Sequence, residues 1–465
     1  MALGRRKDRA HTPELWIATN DLPRTGGHPF YQRLNQLLDA HGFDDFVEAQ
    51  CAGFYAGRVG RPSLPPGTYF RLLLIGYFEG IDSERGIAWR TADSLALRGF
   101  LGFGLADGPP EHSTISRTRR LIDVETHRAV FTWILQVLAT ADLVKGKTIG
   151  IDATTLEANA ALRSIVRRDS GETYQDFLTR LAQASGIETP TRADLARLDR
   201  NRPKKGRNAE WEHPHDPDAR ITKMKDGRTH LAHKAEHAVD LDTGAIVGVT
   251  VQGADQGDTT TIADTVTAAA ENLEAVATVT EGRTHVPEEI VTDKGYHSNQ
   301  VLVDLAALDL RTYISEPERG RRRWRGATAT RDTVYANRRR IRGARGRRLQ
   351  RRRGERLERP NAHLYETGGL RRTHLRGHQN IMKRLLIHSG GFNLGLAMRA
   401  LMGVGTPRGL QGLLHAYVTW LITLWREWHA STADHEPSTA RWVPCHRFDL
   451  LPAATGESGC FATGS

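Results

Sequence analysis

Thr148-Ile-Gly-Ile-Asp152-Ala-Thr-Thr-Leu-Glu-Ala-Asn159 is where the period of the chain changes. Upstream, apolar residues recur at helical spacing. From Thr148 they alternate, which puts Ile149 and Ile151 on one face of a strand and Gly150, Asp152 and Thr154 on the other. Further strands are expected at 230–239 and 245–251, joined by a turn at Asp242-Thr-Gly244, and then at 289–293 and 311–314. Helices are expected at 259–273 and 299–308. A hairpin followed by strands that alternate with helices predicts an α/β domain with a mixed sheet, antiparallel first and parallel afterwards. Asp152 and Asp293 each fall at a strand's end. In open α/β sheets, ligands collect outside the carboxyl ends of the strands, where both aspartates are placed.

Working outward, residues 1–143 read as an all-α region, with helices at 30–40, 68–78, 85–92, 95–100 and 130–138. Gly/Pro punctuation falls at 60–67 and 107–110. Glu111-His-Ser-Thr-Ile-Ser-Arg-Thr-Arg-Arg120 predicts a helix capped by Ser113 or Thr114, with Arg117, Arg119 and Arg120 in its first turns. Hydroxyls and arginines at a helix N-terminus suit phosphate contact; an ordinary solvated helix accounts for the same residues. Residues 144–405 hold the sheet domain, with a polar surface insertion over about 162–220 that contains a helical piece at 174–184. Residues 406–465 carry a helix at 413–428, expected to pack on the core, and a loose tail.

The 465 residues carry 65 Lys+Arg against 54 Asp+Glu, a net charge of +11. With 39% hydrophobic and 26% charged residues, a disordered chain is excluded and a polyanion becomes the first partner to consider. The most apolar stretch, 413–428, is too short and too interrupted for a membrane span, and the N-terminus lacks the apolar run of a secretion signal. Cys51, Cys445 and Cys460 lie far apart, which fits a reducing cytoplasm. The basic excess is concentrated. Residues 319–359 hold eighteen arginines and three acids, and the spacing of Ile341, Leu349 and Leu357 predicts helix with arginines fanning around it. Arginine offers a planar, always-charged donor set for phosphate, so Arg338, Arg339 and Arg342, extended by Arg371, Arg372 and Arg376, form the expected DNA-facing surface.

A third acid, Glu358, follows the arginine run on the expected helix. Three acids so placed suit a hard, oxygen-liganded cation, Mg²⁺ or Mn²⁺. Two such ions, roughly 3.5–4 Å apart, activate a nucleophile and stabilise a leaving oxygen on a phosphodiester. Spacing alone carries little weight in a chain of 54 acids, most of which serve solubility or ion pairs.

The words around the acids carry more. Gly150-Ile-Asp152-Ala-Thr-Thr-Leu-Glu-Ala-Asn159 and Val291-Thr-Asp293-Lys-Gly-Tyr-His-Ser298 resemble the first two catalytic blocks of bacterial insertion-sequence DDE transposases. Leu357-Glu358-Arg359, followed by Gly369-Leu-Arg-Arg-Thr-His-Leu-Arg-Gly377, is similar to their third. Arg61-Pro-Ser-Leu-Pro-Pro66, Gly76-Tyr-Phe-Glu-Gly80 and His112-Ser-Thr-Ile-Ser-Arg117 resemble the helical domain that precedes the catalytic domain in one large subgroup. The resemblance spans residues 29–412 and implies an RNase H-like mixed sheet with flanking helices. It also implies Asp152, Asp293 and Glu358 as ligands of two Mg²⁺ or Mn²⁺ ions, and DNA cleavage followed by strand transfer from a freed 3′-OH. Partners on this reading are the terminal inverted repeats, target DNA and further copies of the chain, in the nucleoid-associated bacterial cytoplasm. A DNA-binding protein without catalysis and a stand-alone nuclease of the same fold are the rival readings.

The match departs at its third block. The broader family pattern Tyr-x-x-Arg-x-x-x-Glu-(six residues)-Lys meets Arg351, Gly354 and Tyr365 here, so a hairpin-forming route is not supported, and Glu355 and then Glu366 compete with Glu358. Pro360 and Asn361 follow Glu358 directly. A proline inside a helix costs about 3 kcal/mol or more, so the helix is expected to begin near Pro360 or to kink just after the acid, shifting Glu358 and impairing this copy.

Other constellations read as structural. His213-Pro-His-Asp-Pro-Asp218 is expected as a stiff exposed loop rather than a zinc site, and His233 and His237 as histidines packed beside the sheet. Asp107, His112 and Ser113 make no credible triad. Gly253-Ala-Asp-Gln-Gly257 lacks the Lys-Ser/Thr of a P-loop, and Asp255 and Asp258 are expected to cap the helix from 259.

Overall fold

The computed structural model describes residues 27–55, 63–104, 107–202, 206–224, 226–280, 285–318, 320, 324, 326–410 and 412. The chain divides into two units, 1–410 and 411–465, so the helix expected at 413–428 lies outside the described residues.

Seven helices come first: α1 (Pro29–Ala40), α2 (Phe43–Cys51), α3 (Pro66–Glu79), α4 (Glu84–Asp93), α5 (Leu95–Phe100), α6 (His112–Leu121) and α7 (Val124–Thr140). Side chains of Ser83, Ser94 and Asp123 cap α4, α5 and α7. Proline opens α3, and Gly80 closes it in the left-handed region that a residue with a Cβ rarely adopts. α6 corrects an expectation. Glu111 is its N-cap residue and gives no side-chain bond, so Ser113 and Thr114 sit within the first turn and cap nothing.

β1 (Thr148–Glu157) enters the sheet, and the chain then leaves it through β2 (Val166–Arg167), α8 (Tyr174–Ala184), α9 (Arg192–Asn201) and β3 (Trp211–Glu212). This insertion has its own small core of Ile165, Trp211, Ala219 and Leu231, with Tyr174 and Phe177 packed against it. β4 (Arg220–Lys223), β5 (Thr229–Asp240) and β6 (Ile246–Gly253) follow, then α10 (Asp258–Ala277), β7 (Glu289–Thr292), α11 (Asn299–Ala307) and β8 (Arg311–Ile314). The sheet runs β5-β1-β7-β8, and β4 and β6 share the outer edge of β5 end to end. β6, β5 and β1 are antiparallel neighbours, while β1, β7 and β8 are parallel. This is the expected mixed α/β sheet behind an all-α N-terminal region.

Two helices carry the arginine-rich segment, α12 (Thr328–Arg342) and α13 (Ala344–Ala362), and α14 (His378–Met402) follows. α13 lies over the Gly150 face of the sheet. Leu349 joins a cluster with Leu241, Val291 and Tyr313, and Leu241 fills the space that a Cβ on Gly150 would need, with Leu357 beside it. α10 covers the opposite face, where Ala269 presses on Gly248. α14 closes the β6 edge: the Asn393 side chain accepts a hydrogen bond from the Ile246 amide at 2.9 Å and donates one to its carbonyl at 2.8 Å, as a neighbouring strand would. One hydrophobic core runs from Phe30 through α7 and the sheet to Met398.

Three further expectations are corrected. α13 does not begin near Pro360; it runs from Ala344 to Ala362 with the proline buried inside it, and a π-helical turn, His363–Thr367, follows. Such wide turns let a helix change register without ending, as strain in its hydrogen-bond ladder requires. α10 has Gly257 at its N-cap without a side-chain bond, so Asp255 and Asp258 do not cap it; Asp258 is drawn to Lys234 instead. The His213–Asp218 loop is not exposed throughout, because His213 and Asp216 are buried. Asp216 meets His233 at 3.2 Å and accepts from the Gly377 amide at 3.0 Å, which fastens the insertion to the segment before α14.

Candidate active site

Gly150 pairs in parallel register with Val291, so Asp152 and Asp293 lie side by side where β7 ends; Asp152 is not at the end of its strand as expected, because β1 runs past β7 to Glu157. Asp293 accepts a hydrogen bond from the Gly295 amide at 2.8 Å, which fixes its carboxylate at the start of a short 3-10 turn. Arg353, from α13, brings Nη1 to 4.0 Å from Asp152 Oδ1. A buried tyrosine, Tyr296, lies behind the pair, and its hydroxyl has no hydrogen-bond partner. Burial first, and then the charges of Glu236, Asp258, Asp152 and Asp293, hold its phenol far above the usual range.

β5 supplies a second tier. Lys234 and Glu236 share a face of the strand, both buried. The Lys234 ammonium lies 2.8 Å from Glu236 Oε1 and 2.7 Å from Asp258 Oδ1. Thr265 donates to Glu236 Oε2 at 2.6 Å, and Thr261 donates to its other oxygen. On the opposite face His237 sits directly across from Asp152. Burial pushes its imidazole down to about 4, so it is neutral at physiological pH, and it packs edge-on against Tyr365.

Asp152 and Asp293 are brought together; Glu358 is placed differently. It follows Leu357, which packs on Gly150, so its backbone lies over β1, but its side chain is exposed. Glu355 is exposed as well, and Glu366 lies in the π-helical turn, ion-paired with Arg371. Among the described residues, no three His, Cys, Asp or Glu side chains are already grouped to hold a metal ion. Asp152, Asp293 and Asp258 nonetheless offer carboxylate oxygens, the donor type that suits Mg²⁺ or Mn²⁺, and Arg353 and Lys234 are cations drawn to two of them.

The expected DNA-contacting residues separate into two groups. Arg117, Arg120, Arg339, Arg342, Arg371, Arg372 and Arg376 are exposed. Arg119 is committed inward, donating to Glu84 and Asn380, both at 2.6 Å, and Arg338 makes a two-pronged pair with Glu316. Ser113 is half-buried, and its carbonyl accepts from Arg117. The sequence reading missed Lys234, Glu236 and Arg353. Two opposite charges two residues apart, hence on one face of the expected strand, were the available signal, because such a face is costly to bury unless the charges are paired.

Two acids thus stand side by side where β1 runs past the end of β7, in a chain whose helices α12 and α13 carry exposed arginines. Residues 20–121, a stretch that takes in α1 to α6, match the family described as Transposase domain (DUF772). The transposase expected from the strand motifs is thus supported by a separate part of the chain, and with it a DNA-processing role. No curated protein matches the chain. Among the described residues, no helix is long and apolar enough to cross a membrane.

Proposed function

We propose that the protein is a DDE-type transposase that cleaves DNA at the ends of an insertion sequence and joins the freed ends to a target. The placement of Asp152 on β1 beside Asp293, at the point where β1 runs past the end of its parallel neighbour β7, carries this reading. Strand order β6-β5-β1-β7-β8 supports an RNase H-like catalytic domain. Asp152, Asp293 and Glu358 would hold two Mg²⁺ or Mn²⁺ ions. When bound, such ions align nucleophile and leaving group and offset charge on the phosphodiester. The chain's own part is positioning. Exposed Arg339, Arg342, Arg371, Arg372 and Arg376 grip phosphates on either side of the reacting bond, while the buried sheet keeps the two aspartates in register. Arg117 and Arg120 on α6 serve the terminal repeats. Joining two ends calls for more than one copy of the chain, acting in the bacterial cytoplasm at the nucleoid.

A second reading, DNA binding without catalysis, is favoured by one observation: α13 turns Arg353 toward Asp152 while Glu358 faces solvent. A Mg²⁺-dependent assay on terminal-repeat DNA separates the two. Cleavage and joining by the wild type, lost in Asp152→Ala, supports the transposase. Binding without cleavage by either protein supports the alternative, and cleavage without joining points to a nuclease.

A further inference from the structure

We propose that Asp258 is a further carboxylate ligand of the divalent-cation site, on the Asp293 side, and that Lys234 is the positioning residue that holds it there. The proposal rests on the reading of Asp152 and Asp293 as metal ligands.

The geometry at Gly295 points to it. A Cβ at that position would stand 2.5 Å from Asp258 Oδ2 and 3.1 Å from Asp293 Oδ1. The two carboxylates therefore flank one point, and only a residue without a side chain leaves it open. Asp258 is the first residue of α10, where the helix dipole favours negative charge. Its Oδ1 is taken by Lys234 at 2.7 Å, which leaves Oδ2 turned to the Asp293 side. The side chain keeps 34% of its surface exposed, so a hydrated ion can reach it.

Glu236 shows what the ligand is not. It has no exposed surface, and Lys234, Thr261 and Thr265 occupy its oxygens. It anchors Lys234 and has no capacity left for an ion. Because Lys234 is shared between two acids, Asp258 and Glu236 together retain negative charge beside Asp293, the surplus a divalent cation would neutralise. Tyr296 is the independent observation. It is 1% exposed, its hydroxyl has no partner, and it lies among the same carboxylates. A buried O–H left unsatisfied is costly, and an acceptor drawn in with an ion's coordination sphere would satisfy it.

The test measures Mn²⁺ binding by the full-length protein, from the loss of the free-ion electron paramagnetic resonance signal, with folding checked by circular dichroism. Asp152→Asn, Asp293→Asn and Asp258→Asn are each expected to weaken binding at least about tenfold. If the first two lose binding and Asp258→Asn stays within twofold of wild type, the inference is overturned and the Asp152–Asp293 site stands. If all three bind as wild type, the site reading fails with it. Asp258→Cys adds a readout that a purely structural partner of Lys234 would not move. A thiolate ligand favours softer ions, so preference for Cd²⁺ over Mg²⁺ should rise at least about tenfold, and an unchanged preference counts against ligation.

Discussion

Glu289 and Asp293 stand at opposite ends of the same strand segment, and the protein treats them oppositely. Glu289 is 1% exposed, with Arg345 donating to both its oxygens at 2.9 and 2.6 Å, Thr148 at 2.8 Å and the Tyr313 hydroxyl at 3.2 Å. Burial works against its charge, but Arg345 and Thr148 outweigh it and hold the carboxyl below its ordinary range. Asp293 is half-exposed and accepts from the Gly295 amide. One acid is saturated by its own protein and the other keeps capacity for something that is not protein. The same contrast separates Glu236 from Asp258, and Arg338 from Arg339. Charge alone does not separate the members of these pairs; what differs is how much of each group's hydrogen-bonding capacity the protein itself takes up.

The contrast can be broken by mutation. Asp293→Asn should lower the rate of DNA cleavage by at least about 10²-fold while leaving the urea-unfolding midpoint near wild type. Glu289→Ala should do the reverse. It leaves Thr148 and Tyr313 without their acceptor and the half-exposed Arg345 without its partner, a loss of about 1–3 kcal/mol in the same unfolding experiment, with cleavage retained by the folded fraction. If Glu289→Ala proves as stable as wild type, the distinction between saturated and open acids has no energetic basis.

The arginines sharpen it. Arg339→Gln with Arg342→Gln removes two exposed cations, so DNA affinity should fall and the slope of log K against log salt should flatten by about 2. Arg338→Gln, whose guanidinium is spent on Glu316, should leave that slope near wild type and cost stability instead. Equal flattening in both would erase the difference.

A smaller effect comes from pH. His237 and His127 are both held down to about 4 by burial, so the folded protein keeps them neutral where the unfolded chain, near 6.5, is already binding protons. Their stabilising contribution is therefore complete above about pH 6.5 and lost as pH falls toward 4, on the order of 2 kcal/mol each at pH 5. His237→Phe should remove part of the decline in stability measured between pH 7 and 5; an unchanged decline would place the titration elsewhere.

Much of the fold was readable because its signals are local. Alternation at 148–152, 230–239 and 245–251 and helical spacing in α1, α3 and α5 each identify an element without knowledge of its partners. α9 gave no such signal, since it buries no residue, and its capping box at Thr191 and Asp194 is the only mark of its start. Asp293 stands where the sequence put it, just past a strand's end, whereas Asp152 lies midway along a strand that its local pattern made too short, because β1 extends to Glu157 by pairing with β5. Lys234, Glu236 and Asp258 were not legible, because their pairing joins β5 to the start of α10 across a hairpin. For the same reason the sequence could not separate committed arginines from free ones: Arg119 finds Glu84 and Asn380, and Arg338 finds Glu316, only in three dimensions.

The most direct test is Mg²⁺-dependent cleavage and strand transfer on DNA carrying the element's own terminal repeats, comparing wild type with Asp152→Ala and Asp293→Ala at matched DNA occupancy. The account predicts cleaved and joined products from the wild type, and bound but intact DNA from both variants. Cleavage by either variant at the wild-type rate would contradict it.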